Sequence, residues 1–156
     1  DTIVAARGTK IFTAAAGSGS WTERDSGRTS AGVYTFERFN FDGNNKLIVA
    51  DGNNAPTVFN TSFAATDVSS GGGGEVSTAV TGAKFVVAFK DHMFYGGMAS
   101  NKQEVVFSVP FDEDNFATGS GAGSFKVDDT ITGLKVFRED LFIFCQDRQY
   151  RNLQGT

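Results

Sequence analysis

The sequence predicts an all-β protein made of β-propeller-like repeats of about 48 residues, with a β-sandwich of the same hairpins as the structural alternative. Three observations carry this. Glycine (19 of 156 residues) and phenylalanine (16) dominate, which pairs many turns with many large apolar side chains. No window sustains the i, i+3, i+4, i+7 apolar spacing of a helix. A strand–turn–strand unit recurs along the chain.

The expected strands follow in order. Thr9–Thr13 is the first, and Val33–Phe41 the second, with mostly alternating apolar positions. Lys46–Ala50, Thr57–Asn60, Lys84–Phe89, Met93–Tyr95 and Glu104–Val109 come next, then Leu134–Phe137, Leu141–Cys145 and Gln149–Leu153. Asp42-Gly43, Asp51-Gly52 and Gly96-Gly97 read as turns, because glycine tolerates the left-handed backbone that tight hairpins require. Two polar stretches, 60–78 with its glycine run 71–74 and 112–123, read as exposed connections.

The repeat is sharpest in the second half. Phe89-Lys90-Asp91-His92-Met93-Phe94 and Phe137-Arg138-Glu139-Asp140-Leu141-Phe142 match at an offset of 48 residues. Thr81-Gly82-Ala83-Lys84 and Thr132-Gly133-Leu134-Lys135 match at 51, so a short insertion separates the two anchors. Phe39–Val49 is a looser copy and Ala5–Phe12, leading to Trp21, a fourth. The approximate units are 1–38, 39–83, 84–133 and 134–156 within one all-β repeat region. A unit of three or four short strands cannot bury both its faces alone, so the copies must pack side by side. Roughly three and a half copies fall short of the four or more blades of a closed propeller, and the chain is expected to be part of a larger polypeptide.

Charge narrows the partners. Fourteen basic and eighteen acidic residues are interspersed, for a net charge of −4. Without a basic tract, neither general affinity for phosphate backbones nor sequence-specific nucleic-acid binding is expected. No apolar run approaches the ~20 residues of a membrane helix, and the first residues carry no signal-peptide pattern, so no membrane partner is expected. The single Cys145 cannot form an internal disulfide, which fits a reducing compartment.

Several segments resemble a known family. These are Val105–Phe116, Gly121–Val127, Asp129–Leu134 with its Ile-Thr-Gly-Leu run, Phe137–Leu141, and Asp147–Gly155 with its Arg-x-Tyr-x-x-Leu order from Arg148. The hairpin Asp51–Phe59 adds to them. Together they resemble the propeller-like virion proteins of tailed bacteriophages, of the neck, nozzle or tail-associated type. Phe116 stands where that family commonly has Trp, and the glycine run 71–74 is an insertion. The resemblance implies a structural, non-catalytic component of the virion, an assembly scaffold. Its partners would be other virion proteins and copies of itself arranged in a ring. A receptor- or glycan-binding propeller module is the alternative.

No residue set points to catalysis, a cofactor or a metal, and the chain is not expected to be an enzyme. His92 is the only histidine, and a lone histidine in a turn is expected to be solvated. Cys145 lies in the apolar run Leu141–Cys145, so packing outweighs thiolate chemistry. Asp112, Glu113, Asp114 and Asn115, with Asp128 and Asp129, carry oxygen ligands but lack EF-hand spacing, so a solvated loop is favoured. Asp-Gly-Asn-Asn at 42–45 and 51–54 read as two turns flanking one strand. The glycine run 71–74 has no following Lys-Ser/Thr, which argues against a phosphate loop. Trp21 and the phenylalanines are expected mainly to pack between repeats.

Overall fold

A computed structural model describes residues 1–29, 32–68, 80–147 and 150–154. The glycine run 71–74, together with residues 148–149 and 155–156, lies outside the described residues. The described chain is all-β and contains four antiparallel sheets, none closed into a barrel. Sheet I comprises β1 (Thr2–Arg7), β2 (Lys10–Ala15) and β3 (Thr22–Asp25). Sheet II comprises β4 (Thr35–Phe39), β5 (Lys46–Ala50), β6 (Thr57–Phe59) and β7 (Ala65–Asp67). Sheet III comprises β8 (Phe85–Phe89), β9 (His92–Met98), β10 (Asn101–Phe107) and β11 (Gly123–Lys126). Sheet IV comprises β12 (Ile131–Phe137), β13 (Asp140–Cys145) and β14 (Tyr150–Gln154).

Each sheet is a meander: every strand pairs with the next one in the chain. The repeated hairpin has a concrete cause. Phe89 pairs with His92 and Phe137 with Asp140, leaving the two-residue loops Lys90-Asp91 and Arg138-Glu139. Lys90 (φ 47°) and Asp91 (φ 64°) are both left-handed, as is Arg138 (φ 58°). A two-residue hairpin whose twist matches its strands needs positive φ, and the 48-residue match reproduces the loop length and the positive φ of its first residue, while the second residue is left-handed only at Asp91.

The core divides into three junctions, one between each pair of successive sheets. Ile11 of sheet I meets Val49 and Phe59 of sheet II. Ile48, Ala50 and Val58 of sheet II meet Met93, Tyr95 and Val106 of sheet III. Val87, Phe89 and Phe94 of sheet III meet Ile131, Leu141 and Ile143 of sheet IV. Strand alternation explains the pattern. In β5, Leu47 and Val49 face back toward sheet I while Ile48 and Ala50 face forward toward sheet III. In β9, Met93 and Tyr95 face back and Phe94 faces forward. The first strands draw together, with β8 approaching β4 on one side and β12 on the other.

Three expectations change. Gly96-Gly97 is no turn but lies inside β9, where the glycines make room: a Cβ on Gly97 would sit 2.9 Å from the Phe85 ring, and one on Gly96 3.2 Å from Leu134. The polar stretches hold strands, β7 within 60–78 and the start of β11 at Gly123. The 112–123 connection is not simply exposed, because Phe116 is fully buried beside Tyr95, with ring centroids 5.7 Å apart. Sheets II and IV begin at Thr35 and Ile131.

Candidate functional site

The polar groups with the strongest mutual contacts act as internal ties. Arg28, in the segment joining sheets I and II, is buried. Its Nε donates to Asp51 Oδ2 (2.8 Å), one terminal nitrogen donates to Asp25 Oδ2 (2.8 Å) and to Thr57 Oγ1, and the other donates to the Ala55 carbonyl (3.0 Å). Burial works against the guanidinium charge, but the Asp25 and Asp51 carboxylates outweigh it and hold the pKa above its ordinary value. Asp51 is also buried, which by itself would raise its pKa. The Asn53 and Asn54 N–H groups, the Asn54 amide and Arg28 reverse that and lower it. Asp-Gly-Asn-Asn at 51–54 is therefore a capped turn around a buried ion pair. Its relative at 42–45 is an exposed turn in which Asn44 N–H donates to Asp42 (3.1 Å).

The acidic stretch has a structural use that the solvated-loop expectation missed. Glu113 is 7% exposed, and Lys46 Nζ donates to its carboxylate at 2.8 Å. Tyr95 OH donates to the Glu113 carbonyl at 2.6 Å. Burial pushes the Tyr95 pKa well up, and the Glu113 carboxylate adds to the shift. Among the described residues, no group of three or more His, Cys, Asp or Glu side chains is placed to hold a metal ion. His92 also departs from expectation. It opens β9, half-buried, with its Nδ1–H donating to the Ser108 carbonyl (2.6 Å) and its ring edge-on to Phe107 at 5.6 Å. Cys145 is 7% exposed and packs in the junction between sheets III and IV. Trp21, expected to pack between repeats, is 50% exposed.

A cleft of about 380 Å³ opens where loops of sheets II, III and IV meet, with Asp51, Lys84 and Lys102 on its wall and Val33 at its edge. Between sheets II and III, Glu37 on β4 accepts from the Ala88 N–H of β8 at 3.3 Å. Partial burial raises the Glu37 pKa against that bond and the Lys135 charge.

Exposed large apolar side chains occur on sheets I and IV. On sheet IV, Leu141, Ile143 and Cys145 face back onto sheet III, and the alternate residues Phe142 and Phe144 share the opposite face with Phe137. Phe142 lies 6.4 Å from Phe137 and 6.5 Å from Phe144, forming a row of three rings with Arg138 over the first. Phe137 is 61% and Phe144 44% exposed. On sheet I, Ile11 faces forward, while Ile3, Ala5, Phe12 and Ala14 share the backward face through the pairs Ile3–Ala14 and Ala5–Phe12. Ile3 is 49% exposed. Sequence reasoning placed Phe12, Phe137, Phe142 and Phe144 in strands but missed the strand that carries Ile3 and Ala5.

The fold is that of an all-β protein of successive antiparallel meanders. No family model and no curated protein matches the chain. Among solved structures it is similar to the crystal structure of the computationally designed Ika4 protein. The likeness has a TM-score of 0.58 at 11% identity and covers 94% of this chain and 79% of that one. At that identity it bears on the fold alone.

Proposed function

We propose that this chain is a non-catalytic assembly scaffold: an arc of propeller-type blades whose work is lateral contact with further protein, as in the phage neck or tail assemblies that its sequence resembles. The propeller reading is supported by meander sheets that follow chain order and by first strands that draw together. The assembly reading is carried by one observation. Phe137 and Phe144 on the forward side of sheet IV are 61% and 44% exposed, although Phe89 and Phe94 on the matching side of sheet III are buried. An open row of large apolar side chains marks a protein contact site more often than a free surface. Single-particle imaging of the full-length protein, together with the particles it is expressed with, tests this. The expected outcome is a symmetric ring or a particle-bound collar containing the chain. A protein found only as dispersed single chains overturns the reading.

A further inference from the structure

The cleft of about 380 Å³ between loops of sheets II, III and IV carries unbalanced positive charge. All of its lining residues fall between Gly32 and Ile131, in the interior of the sequence. Lys84 and Lys102 line it, and among the described residues Asp51 is the one carboxylate on its wall. Asp51 is fully buried and both of its oxygens are taken. Oδ1 accepts from the Asn53 and Asn54 N–H groups, and Oδ2 from Arg28 Nε and the Asn54 amide. Beyond the wall, Glu104 accepts from Ser124 Oγ at 2.8 Å and stands opposite Lys126, while Asp129 accepts from the Thr130 and Asp147 N–H groups. Neither the Lys84 nor the Lys102 ammonium has a hydrogen bond or ion pair among the described residues. Two positive charges thus face the cleft in a protein whose net charge is −4.

Lys84 is anchored along its length. Its N–H donates to the Gly96 carbonyl (3.0 Å), and its carbonyl accepts from Thr35 Oγ1 (2.7 Å). Its stem lies over Gly52, where a Cβ would sit 2.7 Å from Lys84 Cγ and 3.3 Å from Cε. A Cβ on Gly97 would come within 3.2 Å of the Lys84 Cβ. The two glycines leave the room through which the side chain reaches the cleft. A stem already confined in this way loses little further freedom when its ammonium meets an anion. Lysine binds phosphate as a compact point charge, and two lysines match the charge of about −2 that a phosphate monoester carries at pH 7. The cleft lies at the small end of sites for small molecules, about 300–1,000 Å³, so an organic body fits beside the phosphate. Val33, 69% exposed at the cleft edge, offers that body an apolar surface. We propose that this cleft binds a small organic phosphate monoester, with the phosphate held between the Lys84 and Lys102 ammonium groups. Two lysines make no track for a nucleic-acid backbone, which needs a longer run of basic side chains. The inference is independent of the assembly reading.

The test is acetylation by acetic anhydride, mapped lysine by lysine by mass spectrometry in the full-length protein, with glycerol 1-phosphate as the probe at fixed ionic strength. Charge-assisted hydrogen bonds from two ammonium groups imply a Kd on the order of 1 mM. A probe concentration of about 10 mM should therefore slow acetylation of Lys84 and Lys102 at least about fivefold. The exposed Lys90, far along the chain from the cleft wall, should react at its unaltered rate. Lys84→Gln and Lys102→Gln change exposed positions, so the near-ultraviolet circular dichroism of the parent is expected to persist in both. Each should weaken probe binding in calorimetry at least about fivefold. Inorganic phosphate and malonate, a dicarboxylate of similar charge, form the comparison arms. A monoester that binds at least as tightly as inorganic phosphate, and more tightly than malonate, supports the assignment. Tighter binding of inorganic phosphate overturns the organic monoester, and equal binding of malonate overturns the phosphate class. No slowing at Lys84 and Lys102, equal slowing at Lys90, or unchanged binding in both variants overturns the site itself.

Discussion

Phe89 and Phe137 occupy the same place in the same two-residue hairpin, yet Phe89 is 6% exposed and Phe137 61%. Their neighbours match as well: Met93 and Leu141 are both fully buried against the preceding sheet. Backward faces are thus treated alike in the two copies, and the difference lies wholly on the forward side. Burial here is a property of position in the stack. The hairpin supplies the face, and only the next sheet makes that face part of the core.

The widest separation between the two regions is expected from truncating the matched rings. Phe89→Ala should cost about 3–5 kcal/mol of stability, because it removes a large ring from a closed junction. Phe137→Ala should stay within about 0.5 kcal/mol in the dilute single chain. Paired urea titrations check this, and equal losses would mean that the two faces are equally covered. A smaller effect is expected at Gly96, where sheet IV closes on the backbone of β9. Gly96→Val adds bulk 3.2 Å from Leu134 and should cost about 1–3 kcal/mol through overpacking. The corresponding loss of the near-ultraviolet signal of the III–IV junction should precede that of the I–II junction. The smallest effect is a gain. Replacing Lys90-Asp91 by Asn-Gly relieves two left-handed non-glycine residues and should add about 0.5–1 kcal/mol, read as a raised thermal midpoint. The same replacement at Arg138-Glu139 should give less, since only Arg138 is seen at positive φ.

What the sequence disclosed follows from where the signal resides. β5 is predicted to the residue because Leu47, Ile48, Val49 and Ala50 form an apolar run buried on both faces. The hairpins at 89–92 and 137–140 are legible because turn and strand repeat together. β1 escaped although it reads Thr-Ile-Val-Ala-Ala-Arg. The other strands that escaped, β3, β7 and β11, read Thr-Glu-Arg-Asp, Ala-Thr-Asp and Gly-Ser-Phe-Lys. They lie at sheet edges and are held by ladder hydrogen bonds to a neighbour, so their own composition carries little strand signal. The Arg28 tie was invisible for another reason: its partners Asp25, Asp51, Ala55 and Thr57 are brought together only by the packing of sheets I and II. Glu113 and Phe116 sit in a stretch of polar composition and are buried because Lys46 and Tyr95 stand above them. Phe137 and Phe144 are legible as strand residues, but no local pattern tells a covered ring from an exposed one.

Because within each sheet every strand pairs with its neighbour in the chain, the molecule can be assembled in the order in which it is synthesised. Sheet II needs nothing beyond Asp67 to complete its ladder, and sheet III nothing beyond Lys126. Such local pairing keeps loop-closure costs low and favours rapid, sequential folding. It also sets a recurring hazard during translation. Each finished sheet waits with its forward face in water until the next arrives, and for sheet III that face is Phe89, Phe94 and Phe107. The interval lasts while roughly thirty further residues are made, one to several seconds at the ribosome's pace. In that window a nascent chain is most exposed to mispairing with its neighbours on the same message.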